Sequence, residues 1–344
     1  MRLFTCKNCG QLVYFENAAC LRCGSQLGFD AESQDLLTLS PDQNGTLTPL
    51  GGGQAYRICG NATQVDCNWL VPADSPDGFC LACSLNRTIP DLSDPVNQER
   101  WAAMESAKRR FTYAILRFGL PVTNEGLVFD FLASQPGAHV MTGHDEGLIT
   151  IDIAEADPAE RERRRLMLGE PYRTPLGHLR HESGHFYWNK LIRDAGRTEG
   201  VRAVFGDETQ DYEEALKRHY EQGTPPGWQQ DFVSSYATAH PWEDFAETWA
   251  HYMHIVDTVD TGDAFGLRVD PDVGTDDSLR AEINFDPYRA RTIEEIIEVW
   301  LPLSYAMNSL NRSMGQPDLY PFVLSDSIIA KLGFIHGLIH GKAN

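Results

Sequence analysis

The feature that most constrains this 344-residue chain is its set of eight cysteines, all of which lie within the first 83 residues. Four of them form two C-x-x-C pairs, Cys6 with Cys9 and Cys20 with Cys23. A glycine follows each pair, where it permits the positive φ of a tight turn. Four thiolates close the coordination shell of a structural Zn²⁺. We therefore predict a zinc ribbon at residues 1–30, whose folding free energy comes mostly from the metal because so short a segment has little core.

A second group of four cysteines lies at residues 54–95 and comprises Cys59, Cys67, Cys80 and Cys83. The last two have C-x-x-C spacing, whereas the first two are eight apart, which is looser than a standard zinc knuckle. We predict a second structural zinc with four cysteine ligands. A site that uses only the last two cysteines with other ligands, or a set of buried free thiols, stays open. The polar residues 31–53, with three consecutive glycines, are predicted to be a linker with a short strand at Leu36–Leu39.

The sequence His181-Glu182-Ser183-Gly184-His185 is an H-E-x-x-H motif. It lies in a predicted helix that begins at Thr174-Pro175, an N-cap followed by proline at the first helical position. Residues four apart share one helix face, so both imidazoles can reach one metal ion beside a glutamate that can act as a base. Gly184 inside this helix allows another backbone to approach closely.

A second helix is predicted to begin at His240-Pro241 and carries Glu243 and Glu247 four residues apart on one face. Catalytic zinc usually has three protein ligands and one open position, so two histidines need a further donor. One of the two glutamates can ligate and the other can orient a ligand histidine. The alternative is that Glu243 and Asp244 only complement the helix dipole in the first turn.

The remaining pattern predicts an α+β protein. An amphipathic helix is expected at 96–118, and alternating apolar residues indicate strands at 127–133 and 148–154. We assign residues 96–344 to one mainly α-helical zincin-like domain with this small sheet. Residues 259–290 are acidic and contain glycine and proline, so they are expected to form a loop or lid.

The charge balance argues against two classes of partner. The formal net charge is −20, and residues 1–95 hold five Lys/Arg against ten Asp/Glu. Nucleic acid and anionic membrane surfaces both require basic groups, so we expect neither as a partner. The chain starts directly with a metal-type cysteine pair, so we expect no signal peptide and a location in the reducing cytoplasm.

The His181–His185 motif followed by the Glu243–Glu247 stretch resembles the gluzincin metallopeptidases, and most closely the type of site found in anthrax lethal factor. That resemblance implies that Glu243 is the third ligand and that Tyr236, seven residues before it, faces the zinc. The cysteine clusters together with Arg180–Trp188 and His240–Asp244 also resemble a bacterial zinc-binding metallopeptidase family with an N-terminal zinc ribbon. This second resemblance covers nearly the whole chain.

The functional hypothesis is therefore a peptide-bond hydrolase with one catalytic and two structural Zn²⁺ ions. His181, His185 and Glu243 hold the catalytic ion, Glu182 is the general base, Tyr236 stabilises the oxyanion, and Glu247 orients the metal-bound residues. The substrate is expected to be a peptide or protein, and the ribbons offer a surface for a protein partner. The alternative is a regulatory or protein-binding molecule whose protease-like domain cuts nothing.

Overall fold

The structure, a computed structural model, describes residues 1–135, 137–168, 170–272 and 278–341. The chain divides into two compact units, Met1–Arg161 and Glu162–Asn344. The first unit contains all eight cysteines, and the second contains the H-E-x-x-H motif and both glutamates of the later stretch. Within the described residues, no helix has the length and apolar character that crossing a membrane requires.

In its described residues, the first unit combines many short strands with three helices. Its strands are β1 (Phe4–Thr5), β2 (Leu12–Val13), β3 (Gln26–Asp30), β4 (Asp35–Pro41), β5 (Leu47–Pro49), β6 (Tyr56–Ile58), β7 (Leu70–Pro72), β8 (Asn86–Thr88), β9 (Val128–Leu132), β10 (Gly143–Asp145) and β11 (Leu148–Asp152). Its helices are α1 (Ala62–Val65), α2 (Leu81–Ser84) and α3 (Pro95–Phe118), with a short 3₁₀ helix at Ile153–Ala156. Helix α4 (Pro158–Leu168) contains the boundary between the units.

The interval 31–53 differs from the predicted linker because it supplies two strands of a sheet. Strands β3 to β7 pair in sequence order as five antiparallel strands. Leu39 and Leu47 from this interval are buried in a small core with Tyr56 and Leu70. Short strands joined by tight turns contain too few alternating positions to stand out from a linker in sequence. The strand expected at Leu36–Leu39 is present within β4.

Helix α3 packs on the cysteine-rich region, which explains why the first unit extends to Arg161 instead of ending near residue 95. The helix begins at an Asp94 N-cap and ends at Gly119 with φ 69°. The ring of Tyr113 on α3 lies 5.2 Å from that of Phe15, and Phe111 lies 6.2 Å from Phe129 of β9. The predicted boundary at 95/96 therefore separates residues that share one core.

The second sheet of this unit has the order β10-β11-β9-β8. Strands β9 and β11 run parallel, in a register that pairs Phe129 with Ile149, and they occupy the two intervals where the alternating pattern predicts strands. Strand β10 is antiparallel to β11. The small sheet thus lies in the compact unit that contains the cysteines, whereas the predicted domain at 96–344 placed it with the motif helix.

The second unit is largely helical in its described residues. Its helices are α5 (Pro175–Trp188), α6 (Thr198–Phe205), α7 (Tyr212–Gln222), α8 (Pro241–Ala264), α9 (Ile293–Ser313) and α10 (Asp326–Ile339), with a π-helical turn at Asn189–Arg193. Short 3₁₀ helices lie at Trp228–Gln230, Tyr236–Thr238 and Pro287–Arg289. A two-stranded antiparallel pair joins β12 (Arg268–Val269) to β13 (Ala281–Glu282).

The pairing of α5 with α8 forms the centre of this unit. Helix α8 is longer than predicted, so the expected loop at 259–290 begins only after Ala264, and residues 273–277 of that interval lie outside the described part of the chain. Buried apolar residues such as Val256 and Val259 continue the buried face of the helix and stabilise its extra turns.

Candidate metal centre

Helix α5 presents the two motif histidines from a well-defined start. The Thr174 hydroxyl accepts a hydrogen bond from the Gly177 N–H, and Pro175 occupies the first turn. His181 and His185 lie one turn apart, and their ring centroids are 5.0 Å apart. Both side chains are buried, which is unusual for imidazoles unless they have polar partners.

Gly184 allows helix α8 to come close enough to contribute to the same site. A Cβ at this position would stand 2.8 Å from the Cα of Ala246 and 3.3 Å from its carbonyl oxygen. Any side chain here would therefore push the two helices apart. The close approach expected from the sequence is thus present, and the neighbouring backbone is that of α8.

Helix α8 brings Glu243 to the two imidazoles. The helix starts at His240, whose side chain accepts from the Trp242 N–H, and Glu243 lies in the first turn. The Glu243 Oε2 atom is 3.0 Å from His181 Nε2 and 3.4 Å from His185 Nε2. These three side chains form one of the three groups of potential metal ligands found in the described residues.

The spacing of these atoms suits a bound cation. A tetrahedral Zn²⁺ with N and O donors at about 2.0–2.1 Å places the donors about 3.3–3.4 Å apart. The Glu243 Oε2 atom is buried and has no hydrogen-bond partner among the described residues. A buried carboxylate oxygen is costly without a compensating group, and an ion between Oε2 and the two Nε2 atoms would supply one. The residues present therefore fit the metal that the sequence predicts.

Glu247 lies one turn further along α8 and contacts His181 from the side away from Glu243. Its Oε1 atom is 2.6 Å from His181 Nδ1. Burial opposes ionisation of Glu247, but the hydrogen bond from His181 Nδ1 lowers its pKa. A carboxylate at Nδ1 fixes the proton there and directs Nε2 toward the donor group. This is the geometry expected for the orienting role.

Glu182 is buried beside the donors without being one of the three donor residues. Its Oε1 atom is 3.1 Å from His178 Nε2. Burial would raise the pKa of Glu182, but the hydrogen bond to His178 and the charges of the neighbouring imidazoles lower it below the ordinary value. An ionised carboxylate at this position can accept a proton.

Tyr236 lies in the 3₁₀ helix just before α8, and its ring centroid is 5.8 Å from that of His181. Burial, reinforced by the negative charge of Glu243, raises the pKa of Tyr236 far above its ordinary value. Its phenol accordingly keeps its proton and can donate a hydrogen bond. The structure thus brings together every residue that the sequence assigned to this centre.

Among the described residues, at least three that the sequence analysis missed also contact the centre. They are His178, which bonds Glu182; Tyr212, whose hydroxyl donates to Glu243 Oε1 at 2.6 Å; and Trp242, whose ring lies 3.8 Å from that of His185. His178 could have been found, because it lies four residues before Glu182 on the same helix. Tyr212 belongs to a separate helix, and no local pattern identifies it.

The eight cysteines form two compact groups, the first cysteine cluster (Cys6, Cys9, Cys20, Cys23) and the second cysteine cluster (Cys59, Cys67, Cys80, Cys83). The Sγ atoms of Cys6 and Cys23 are 3.6 Å apart, as are those of Cys9 and Cys20. In the second cluster, Cys67 lies 3.7 Å from both Cys80 and Cys83. A disulfide requires about 2.05 Å, whereas four sulfurs at about 2.3 Å from Zn²⁺ are about 3.8 Å apart. Both clusters therefore have the spacing of tetrathiolate zinc sites.

The second cysteine cluster is fully buried and rests on helix α3. The Cys80 N–H donates to Cys59 Sγ at 3.4 Å, and Cys83 Sγ lies 3.7 Å from Glu105 Oε2. Glu105 is itself buried and paired with the Lys108 ammonium at 2.6 Å. This cationic partner lies where four thiolates around Zn²⁺ would leave an excess of negative charge. The arrangement leaves no open coordination position for a substrate.

Comparisons with known proteins agree with both parts of this description. Residues 97–338 match the family described as "putative zinc-binding metallo-peptidase", and residues 3–94 match a zinc-ribbon domain. An uncharacterized protein of Mycobacterium bovis is 42% identical over 350 residues, which cover 98% of this chain and 95% of that protein. Uncharacterized proteins from two strains of Mycobacterium tuberculosis match to the same extent. No solved structure gives a significant match. The peptidase match spans well over half of this chain, and the chain therefore belongs to the "putative zinc-binding metallo-peptidase" family.

Proposed function

We propose that this protein is a zinc-dependent metallopeptidase in which His181, His185 and Glu243 hold the catalytic ion. The observation that carries the proposal is the buried Glu243 Oε2 atom, which faces the Nε2 atoms of both histidines at 3.0 and 3.4 Å. Three protein donors leave the fourth position of a tetrahedral zinc ion for water, as catalytic zinc requires. When bound, Zn²⁺ supplies a Lewis acid that polarises a carbonyl and lowers the pKa of water toward about 7.

The side chains around the donors suit the hydrolysis of a peptide bond. The water oxygen bonds to the carbonyl carbon while the Glu182 carboxylate takes the proton from that water. Breakage of the C–N bond then releases the amine, to which Glu182 returns the proton. The Tyr236 phenol donates to the carbonyl oxygen as negative charge develops there. Glu247 maintains the His181 tautomer throughout, because its Oε1 atom is 2.6 Å from Nδ1.

The experiment that tests this function combines metal content with peptide cleavage. Wild type is expected to contain three zinc ions per chain and to cut members of a peptide library. Glu182→Gln should keep all three ions and lose about 10²- to 10⁴-fold in cleavage rate, since only the base is removed. Glu199→Gln, an exposed position on α6, is the matched control and should cut like wild type.

Three results would contradict the proposal. If Glu182→Gln still cleaved peptides at the wild-type rate, Glu182 would not be the general base. Three zinc ions in a wild-type protein that cuts no peptide would instead favour a regulatory protein that keeps a protease-like centre. Two zinc ions would assign metal to the cysteine clusters alone.

A further inference from the structure

The two oxygens of the Glu243 carboxylate have different surroundings. Oε2 faces the imidazoles of His181 and His185, whereas Oε1 accepts a 2.6 Å hydrogen bond from the Tyr212 hydroxyl. Tyr212 is the first residue of α7 and lies outside both the H-E-x-x-H motif and the stretch that carries Glu243. One oxygen is therefore already engaged by the protein, and the other is left for a cation.

Two hydrogen bonds hold the start of α7, which carries Tyr212, in place. Asp211 caps α7 by accepting from the Glu214 N–H, which fixes the start of that helix. His240 Nδ1 accepts from the Trp242 N–H, so its Nε2 must carry the proton that reaches the Gln210 carbonyl at 3.2 Å. The start of α7 is thereby tied to the start of α8.

The ring of Tyr212 is also packed against the residues that start α8. Its centroid lies 5.4 Å from that of His240 and 5.6 Å from that of Trp242, both in edge-to-face geometry. The Trp242 ring in turn lies 3.8 Å from that of His185. The hydroxyl is therefore aimed at Glu243 by a fixed frame, and a rotation away from it would disrupt this packing.

A carboxylate can bind a cation through one oxygen or through both. If both oxygens of Glu243 bound Zn²⁺, they would occupy the position that water or a substrate carbonyl needs. We propose that Tyr212 is a positioning residue that restricts Glu243 to binding through Oε2 and so preserves the open side of the centre. This inference rests on the proposed function, because it assumes the same cation at the same three donors.

The test measures metal binding and coordination in the full-length chain. Brief dialysis against a chelator removes the ion from the three-donor site, while the cysteine clusters retain their zinc. The three-donor site is then titrated with Zn²⁺ or Co²⁺. Tyr212→Phe removes only the hydroxyl and is expected to weaken Zn²⁺ binding by about 10- to 100-fold, the usual cost of losing a partner of a ligand. In the Co²⁺ form, the visible bands should shift, because the second oxygen of Glu243 replaces water among the atoms that bind the ion.

Tyr252→Phe is the matched control, since it removes a buried hydroxyl on α8 whose partner is His336 Nδ1 at 2.9 Å, away from the three donors. It should bind both ions like wild type. If Tyr212→Phe fails to fold, Tyr212→Met removes the same hydroxyl and provides the same measurements. An affinity or a Co²⁺ spectrum in the Tyr212 variant equal to that of wild type would overturn the inference.

The result is separable from the fate of the proposed function. Weaker binding and altered Co²⁺ bands in Tyr212→Phe, in a protein whose wild type cuts no peptide, would support the role of Tyr212 and reject the enzyme. Unchanged metal binding and Co²⁺ bands in Tyr212→Phe, together with cleavage that depends on Glu182, would support the enzyme and reject the role of Tyr212.

Discussion

The second cysteine cluster and the three-donor site both collect metal ligands, but they are built in opposite ways. The cluster draws four sulfurs from 25 consecutive residues, Cys59–Cys83, and buries all of them. The three-donor site draws two imidazoles from α5 and one carboxylate from α8, 58 residues later in the chain. Local chain turns create the first, whereas helix packing creates the second.

The two also differ in the partners that surround the ligands. Around the cluster, the Cys80 N–H donates to Cys59 Sγ, and the buried Glu105–Lys108 pair lies beside Cys83. Around the three-donor site, several side chains bond the donors while leaving a base and a phenol beside them. A closed shell with buried partners suits a role in stability, and an open shell with titratable neighbours suits chemistry. This difference leads to predictions of unequal size.

The largest effect is expected from the second cysteine cluster. Cys80→Ser should lower the metal content from three zinc ions to two and unfold much of the first unit, because structural zinc contributes about 10–16 kcal/mol in small zinc domains. Cys23→Ser in the first cluster should also lose one ion but cost less, because Cys23 lies exposed at the rim. Metal analysis and thermal unfolding check both. A Cys80→Ser chain that keeps three ions would break the comparison.

A smaller effect is expected where α5 meets α8. Gly184→Ala places a Cβ 2.8 Å from the Ala246 Cα, so we expect a loss of about 1–3 kcal/mol from overpacking in place of the usual gain in helix propensity. The displaced helices should also bind the third ion less tightly. The control is Gly262→Ala on α8, whose near neighbours are the terminal methyl groups of the flexible side chains of Ile283 and Leu303. Denaturant unfolding of both variants tests this, and equal stabilities would show that the helices can move apart freely.

The smallest effect is expected from the partner of His181. Glu247→Ala should weaken Zn²⁺ binding at the three-donor site by about 10- to 100-fold, since it removes the acceptor at Nδ1. Glu247→Gln keeps an acceptor but loses the charge, so its affinity should fall between those of wild type and the alanine variant. Competition with a chromophoric chelator measures all three proteins. If both variants bind zinc as tightly as wild type, the 2.6 Å contact between Glu247 Oε1 and His181 Nδ1 does not strengthen metal binding by His181.

Local spacing in the sequence predicts which of these side chains lie close together. The cysteine pairs and the i, i+4 spacings of His181–His185 and Glu243–Glu247 each lie within one turn or one helix, where the backbone geometry fixes which side chains share a face. The strands at 127–133 and 148–154 follow from alternation in the same way. The family resemblance added the choice of Glu243 as ligand and of Tyr236 as the facing phenol.

The tertiary structure decided what no local pattern contains. It places β4 and β5 in a sheet, assigns α3 to the cysteine-containing unit, and brings Tyr212 to the second oxygen of Glu243. Each of these depends on contacts between residues far apart in the chain, where many partners are compatible with the same residue type. Backbone geometry determines which residues share a helix face, but only the packing of the whole unit selects which faces meet.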